Sequence, residues 1–153
     1  MDDNSENNGK VVASFVKNNT EAVCVGISEW KGKQLIFVRV FVQALGEDTL
    51  VPTKAGISLS IDKYDELLKG VQAIGDVMGS DKVVAKITKN NKQEIWIGFN
   101  VYKGIPLIYL RTFSAYGEGE ELKPTKQGVS LKVEQYSFLL EAIEKLGEEL
   151  ATN

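Results

Sequence analysis

Over residues 10–59 apolar side chains recur at every second position in four short runs, and over 61–74 they recur every three or four positions. The same succession returns over 82–131 and 133–146. A period of two fits strands with one buried face, and a period near 3.6 fits a helix with one apolar stripe. The runs at 10–17 (KVVASFVK) and 82–89 (KVVAKITK) are rich in β-branched residues. Both end on paired asparagines, Asn18-Asn19 and Asn90-Asn91, which tolerate left-handed backbone and close turns with their own side chains. Each is predicted to be a strand entering a hairpin. Second strands are expected over 21–30 (EAVCVGISEW) and 93–102 (QEIWIGFNVY), interrupted at the same place by Gly26 and Gly98, the mark of a bulge or of a close approach. Lys31-Gly32 and Lys103-Gly104 supply the next turns, and third strands follow over 33–44 and 105–115. There Leu35, Phe37, Arg39 and Phe41 fall on one face and Ile36, Val38 and Val40 on the other, while Leu107, Tyr109, Arg111 and Phe113 repeat the first set. An unpaired guanidinium is costly to bury, so this face is expected to be open at least in part, or Arg39 and Arg111 to have fixed acidic partners.

Fourth strands are expected over LVPTKAGISL and LKPTKQGVSL, where Pro52 and Pro124 deny the ladder a donor and so place the start of each at an edge or a bulge. The helical stripes are Ile61, Tyr64, Leu67, Leu68, Val71 and Ile74, then Val133, Tyr136, Leu139, Leu140, Ile143 and Leu146. Ser60 is a candidate N-cap where its counterpart Lys132 is a poor one, and Gly75 and Gly79 can end the first helix. The fold class is α+β: two tandem units, 10–79 and 80–153, each of four antiparallel strands followed by one helix. About 70 residues is marginal for a sheet with a single helix, so the units are expected to pack through their helices as an intramolecular pseudo-dimer, with 10–150 one globular domain. The polar residues 1–9 are expected to be a disordered tail.

The repeat is gapless. Residues 102–131 are residues 30–59 moved seventy-two places, and the identities reach beyond the apolar pattern: Lys31 with Lys103, Arg39 with Arg111, Pro52-Thr53-Lys54 with Pro124-Thr125-Lys126, Gly56 with Gly128, Ser58 with Ser130. A duplicated core needs only its hydrophobic positions. The retained cations and glycines are therefore where function is sought.

Composition narrows the chemistry. There is no histidine and one cysteine, so neither a usual zinc site nor a Ser-His or Cys-His nucleophile can be assembled; no cofactor, no metal and no catalytic role are expected. Cys24 is expected to fill a buried strand position, its counterpart being Trp96, in a reducing intracellular compartment such as the cytoplasm or nucleoid. The acids Glu118, Glu120 and Glu121 face only Glu47 and Asp48 in the other copy and read as solvated turns. No eighteen-residue apolar run predicts a membrane span, and the acidic start predicts no secretory signal. The formal charge of −3 hides a partition. Residues 10–58 carry six basic and four acidic side chains and 82–130 carry eight and four, whereas the helical segments and the tail hold the excess acid. Either the sheets present a positive face at an acidic pI, or these are ordinary surface charges.

The strings W-K-G-K-x-L-I-x-V-R and P-T-K-x-G-I-S-L, with their second-copy counterparts, resemble the single-stranded-DNA-binding domain of the transcriptional coactivator positive cofactor four; the tandem order also resembles the plant Whirly and the Pur-type proteins. The resemblance implies a grip on single-stranded nucleic acid by the concave faces of curved sheets. It implies contacts from Trp30, Lys31, Lys33, Arg39 and Lys54 in the first copy and from Tyr102, Lys103, Arg111 and Lys126 in the second. The family's further tryptophan falls at Val42 and Ser114 here, so Phe41, Phe113 or Tyr116 would have to replace it. Ile105-Pro106, Ala55 and Gln127 also depart from the family's basic positions. The implied role is non-enzymatic binding of single-stranded DNA or RNA with little sequence preference, in transcription, replication or recombination, with a homo-oligomer or transcription and replication machinery as further partners. The alternative is a protein-interaction or oligomerisation module that kept the fold and lost the affinity.

Overall fold

The structure is a computed structural model and describes residues 9–44, 46, 49–115 and 121–152. The expected tail (Gly9 excepted), the acidic positions Glu47, Asp48, Glu118 and Glu120, and Tyr116 lie outside those residues. The elements follow the order β1 (Lys10–Val16), β2 (Glu21–Trp30), β3 (Lys33–Gln43), β4 (Leu50–Ser60), α1 (Tyr64–Ile74), then β5 (Lys82–Asn90), β6 (Gln93–Tyr102), β7 (Ile105–Ala115), β8 (Leu122–Lys132) and α2 (Tyr136–Ala151). They make two antiparallel sheets of order β1-β2-β3-β4 and β5-β6-β7-β8. This is the α+β tandem that the periodicity predicts.

Local chemistry accounts for the shape of each sheet. The Asn18 side-chain carbonyl accepts from the N–H of Thr20 and of Glu21, both at 3.0 Å, and that of Asn90 from Lys92 at 2.9 Å, closing the first hairpin of each unit. The second hairpin turns on Lys31 (φ 51) and Gly32 (φ 80), and on Lys103 (φ 52) and Gly104 (φ 80). Positive φ at both positions is the two-residue turn whose twist suits antiparallel strands. Gly26 and Gly98 are both things expected of them. The ladder slips beside each, between Val11 and Ala13 and between Val83 and Ala85. A β-carbon at Gly26 would also stand 2.7 Å from the Phe37 ring, and one at Gly98 would stand 2.6 Å from the Tyr109 hydroxyl. Pro52 and Pro124 lie on edge strands next to further register shifts, as their missing donors require.

One expectation about the helices needs correction. Ser60 makes no capping bond; it precedes a 3-10 turn (Ile61–Lys63) and its hydroxyl donates to the Asp62 carboxylate at 2.6 Å. The units do pack through their helices, but by exchange: α1 lies on β5 and β6 of the second sheet and α2 on β1 and β2 of the first, the two helices also touch, and β4 runs beside β8. An amphipathic stripe demands an apolar surface without specifying whose. Gly70 lets α1 sit against the second sheet, since a β-carbon there would meet Ile97 Cδ1 at 2.7 Å. The exchange is reciprocal: Tyr64 Oη donates to the Ile143 carbonyl and Tyr136 Oη to the Val71 carbonyl, each at 2.7 Å, and Lys10 of β1 pairs with Glu149 of α2. Val25, Val38 and Leu59 of the first sheet and Ile97, Leu110 and Leu131 of the second join Val71 and Ile143 in one continuous core.

Candidate nucleic-acid interface

Strand register assigns every side chain to a face. In the first sheet Cys24 lies opposite Arg39, Trp30 opposite Lys33, Arg39 opposite Gly56 and Phe41 opposite Pro52. Trp30, Lys33, Arg39 and Phe41 therefore share one face, and Val23, Val25, Ile36, Val38, Val40 and Ile57 take the other, which is the core face. In the second sheet Tyr102 lies opposite Ile105, Trp96 opposite Arg111 and Phe113 opposite Pro124. Both helices insert their buried residues into the core. The arginine face of each sheet is thus the helix-free one, and the acidic helices lie behind it.

Three groups of side chains occupy that face. At the hairpin tips, Trp30 is 37% exposed and Tyr102 58% exposed. The Nζ of Lys31 lies 4.7 Å from the centre of the Trp30 ring and that of Lys103 lies 5.3 Å from the Tyr102 ring, within cation–π range; Lys33 is exposed beside them. About 20 Å along β2, six residues at roughly 3.3 Å each, stands the second group, the half-buried Arg39 and Phe41. The Arg111 guanidinium donates to the Thr125 carbonyl at 2.9 Å and to Ser130 Oγ at 3.1 Å. Neutral oxygens rather than a carboxylate hold it. The third group explains the repeated Pro-Thr-Lys. Thr53 Oγ1 donates to the Val40 carbonyl at 2.8 Å and accepts from the Ala55 N–H at 3.1 Å, and Thr125 repeats both bonds with Thr112 and Gln127. These bonds lock the bulge from which Lys54 and Lys126, both exposed, project. Val42 and Ser114 alternate with Phe41 and Phe113 and lie on the other face.

One cluster on this face is missing from the sequence reading. Trp96 stacks on Phe113 with ring centres 3.9 Å apart and planes 12° apart, and Lys86 Nζ lies 4.2 Å from the Trp96 ring. The Trp96 Nε1–H donates to the Glu94 carboxylate at 2.9 Å. Lysine, tryptophan, phenylalanine and proline thus run across β5 to β8 as one transverse ladder. Its first-copy counterparts are Ser14, Cys24, Phe41 and Pro52, and Cys24 is 4% exposed with burial pushing its thiol pKa up. Trp96 entered the sequence reading only as the counterpart of Cys24; its alternation with Gly98 on the strand that pairs with Arg111 was the available signal. The two faces therefore share the cations at Lys31, Arg39 and Lys54 with Lys103, Arg111 and Lys126, and differ at Lys33 against Ile105, at Ser14 against Lys86 and in their rings. Among the described residues no group of three or more His, Cys, Asp or Glu is placed to hold a metal ion, and no helix is long and apolar enough to cross a membrane.

Comparison with known proteins agrees with the duplication. The family described as Transcriptional Coactivator p15 (PC4) matches residues 17–70 and again residues 89–142. Among solved structures, a PC4 homologue from Burkholderia pseudomallei in its tetragonal crystal form is 27% identical, covering 48% of this chain and 100% of that one, with a TM-score of 0.38. Its orthorhombic form gives 25% identity over 50% and 96% of the two chains, with a TM-score of 0.38. No curated protein matches the chain significantly.

Proposed function

The chain belongs to the PC4 (transcriptional coactivator p15) family, whose domain it carries twice, and from that premise we propose that it binds single-stranded nucleic acid, DNA or RNA, without catalysis and with little sequence preference. One observation carries the reading: in both repeats the helix-free face sets an aromatic ring beside a turn lysine and an arginine in the middle of the sheet. Rings stack on any base at about 1–3 kcal/mol each, and lysines neutralise phosphates without reading sequence. Trp30 and Tyr102 are the exposed stacking platforms; Lys31, Lys33, Lys54, Lys103 and Lys126 face the backbone; Arg39 and Arg111 anchor it in the middle; Phe41 and Phe113 supply apolar contact. The turns add support. A lysine at positive φ is held at a cost of roughly 1–3 kcal/mol, where asparagine would fit more easily, and the chain keeps it in both copies. Transcription, replication and recombination are the processes that expose such a ligand.

The test is a titration of labelled single-stranded DNA, single-stranded RNA and duplex at two salt concentrations. Preference for the single strands, weakening steeply with salt, supports the reading. Equal affinity for duplex, or no binding to any of the three, refutes it and turns attention to the same faces as a protein-contact surface.

A further inference from the structure

The second sheet carries a ring cluster that the duplication does not repeat. Trp96 of β6 lies opposite Lys86 of β5 and Arg111 of β7, on the helix-free face. Phe113 stacks on the indole with ring centres 3.9 Å apart and planes 12° apart, and Lys86 Nζ lies 4.2 Å from the ring centre. Two groups that close to one centre cannot share a side of the ring, so Phe113 backs one face of the indole and Lys86 covers the other. Seventy-two places earlier stand Ser14 and Cys24, and Cys24 is 4% exposed, so the first sheet offers no ring there.

The two covers differ in how firmly they are held. Phe113 is half-buried on a strand paired along both edges. Lys86 is exposed on the edge strand β5, and it meets the indole through a surface cation–π contact. Such a contact is weaker than the stacking of a nucleobase on an aromatic ring. Glu94 fixes the indole itself, since its carboxylate accepts the Trp96 Nε1–H at 2.9 Å and holds the ring whether or not the lysine covers it. The same carboxylate is diagonal to Lys86 across the pair β5–β6, where Thr88 lies opposite Glu94 and Lys86 opposite Trp96, within reach of a long side chain. An ammonium leaving the ring thus has an acid to move to.

We propose that Trp96 is a base-stacking platform held under a cap: Lys86 covers the indole in the free protein, and one nucleobase of a bound single strand displaces it towards Glu94, once per chain. The inference rests on the proposed function and deepens it. Trp96 shares its face with Tyr102, about 20 Å away along β6, six residues at roughly 3.3 Å each. A single strand running along β6 reaches both rings. Because the displaced lysine is taken up by a carboxylate, the platform adds stacking without adding a phosphate contact, and it does so on the second sheet alone.

The experiment uses the full chain with Trp30→Phe, which leaves Trp96 the only tryptophan, and single-stranded oligothymidine. Anisotropy of the labelled strand reports binding, and indole emission with the unlabelled strand reports stacking. At saturation Trp96 emission should fall to about half or less as a base covers the ring, and acrylamide should quench the remainder less than it quenches the free protein. Adding Lys86→Ser, the residue that the first repeat carries at this place, removes the cap. Acrylamide quenching of the free protein should then rise, strand affinity should be no lower than before, and the slope of log affinity against log salt should not change. Strand binding that leaves Trp96 emission unaltered overturns the platform while the proposed function stands. A Lys86→Ser slope shallower by about 0.7 places the lysine on a phosphate, and quenching that does not rise shows that it covers nothing; either overturns the cap. Absence of strand binding at low salt overturns the proposed function and this inference with it.

Discussion

Replacing Lys31 and Lys103 together by asparagine separates binding from folding. Both residues sit at the first turn position with φ near +50°, where asparagine followed by glycine is the favoured pair. The double variant should therefore melt no lower than the wild type, and the lost contact shows in binding alone. Seven cations of the candidate face are assigned to phosphate: Lys31, Lys33, Arg39, Lys54, Lys103, Arg111 and Lys126, Lys86 being engaged with the Trp96 ring. If each neutralises one phosphate, at about 0.7 ions released per contact on a single strand, log affinity falls with log salt at a slope of about −4.9, and losing two cations brings it to about −3.5. From roughly 50 to 200 mM salt the wild type would then lose about a thousandfold in affinity and the variant about a hundredfold. Fluorescence anisotropy with a labelled oligonucleotide at four or five salt concentrations measures both slopes. An unchanged slope, or an affinity loss that appears only together with a lower melting temperature, refutes the assignment of these lysines to phosphate.

Alkaline pH should loosen the helix exchange. Burial, ahead of neighbouring carboxylates, raises the pKa of Tyr64 and of Tyr136, whose hydroxyls donate across the two units. Since the folded values lie above the unfolded value of about 10, this stability is fully present below that pH and is lost as pH rises through the folded values. Denaturant midpoints should stay flat on the neutral side and drop beyond it, less so in a Tyr64→Phe, Tyr136→Phe variant; a flat profile at high pH contradicts this. Gly98→Ala places a methyl 2.5 Å from the Lys82 carbonyl and 2.6 Å from the Tyr109 hydroxyl, so it should cost about 1–3 kcal/mol in chemical denaturation. Trp96→Cys copies the first repeat and removes the stack on Phe113. It should lower stability by at least about 0.5–1.5 kcal/mol and leave Trp30 the sole tryptophan, its fluorescence then reporting strand binding at the first hairpin tip.

Much of this was readable before any coordinates, because the signals were local. Strand edges fell within a residue or two of Lys10–Val16 and Lys33–Gln43, since paired asparagines and Lys-Gly dipeptides mark turns by their own conformational preferences. The face carrying Arg39 and Arg111 followed from alternation alone. What stayed hidden was relational. The stripe at Leu67, Val71 and Ile74 says that α1 must bury a side, and nothing in it tells one sheet from the other. Trp96 was passed over because it served only to place Cys24, although it shares its face with Phe113.

The central claim is that a single strand lies on the helix-free faces of both sheets. Photo-crosslinking a bromodeoxyuridine-substituted single-stranded oligonucleotide to the full chain, with the linked peptides identified by mass spectrometry, tests it most directly. The account predicts cross-links at Trp30, Tyr102 and Phe113, in both repeats, and none in α1 or α2. Cross-links concentrated on the helices, or spread without regard to face, would contradict it.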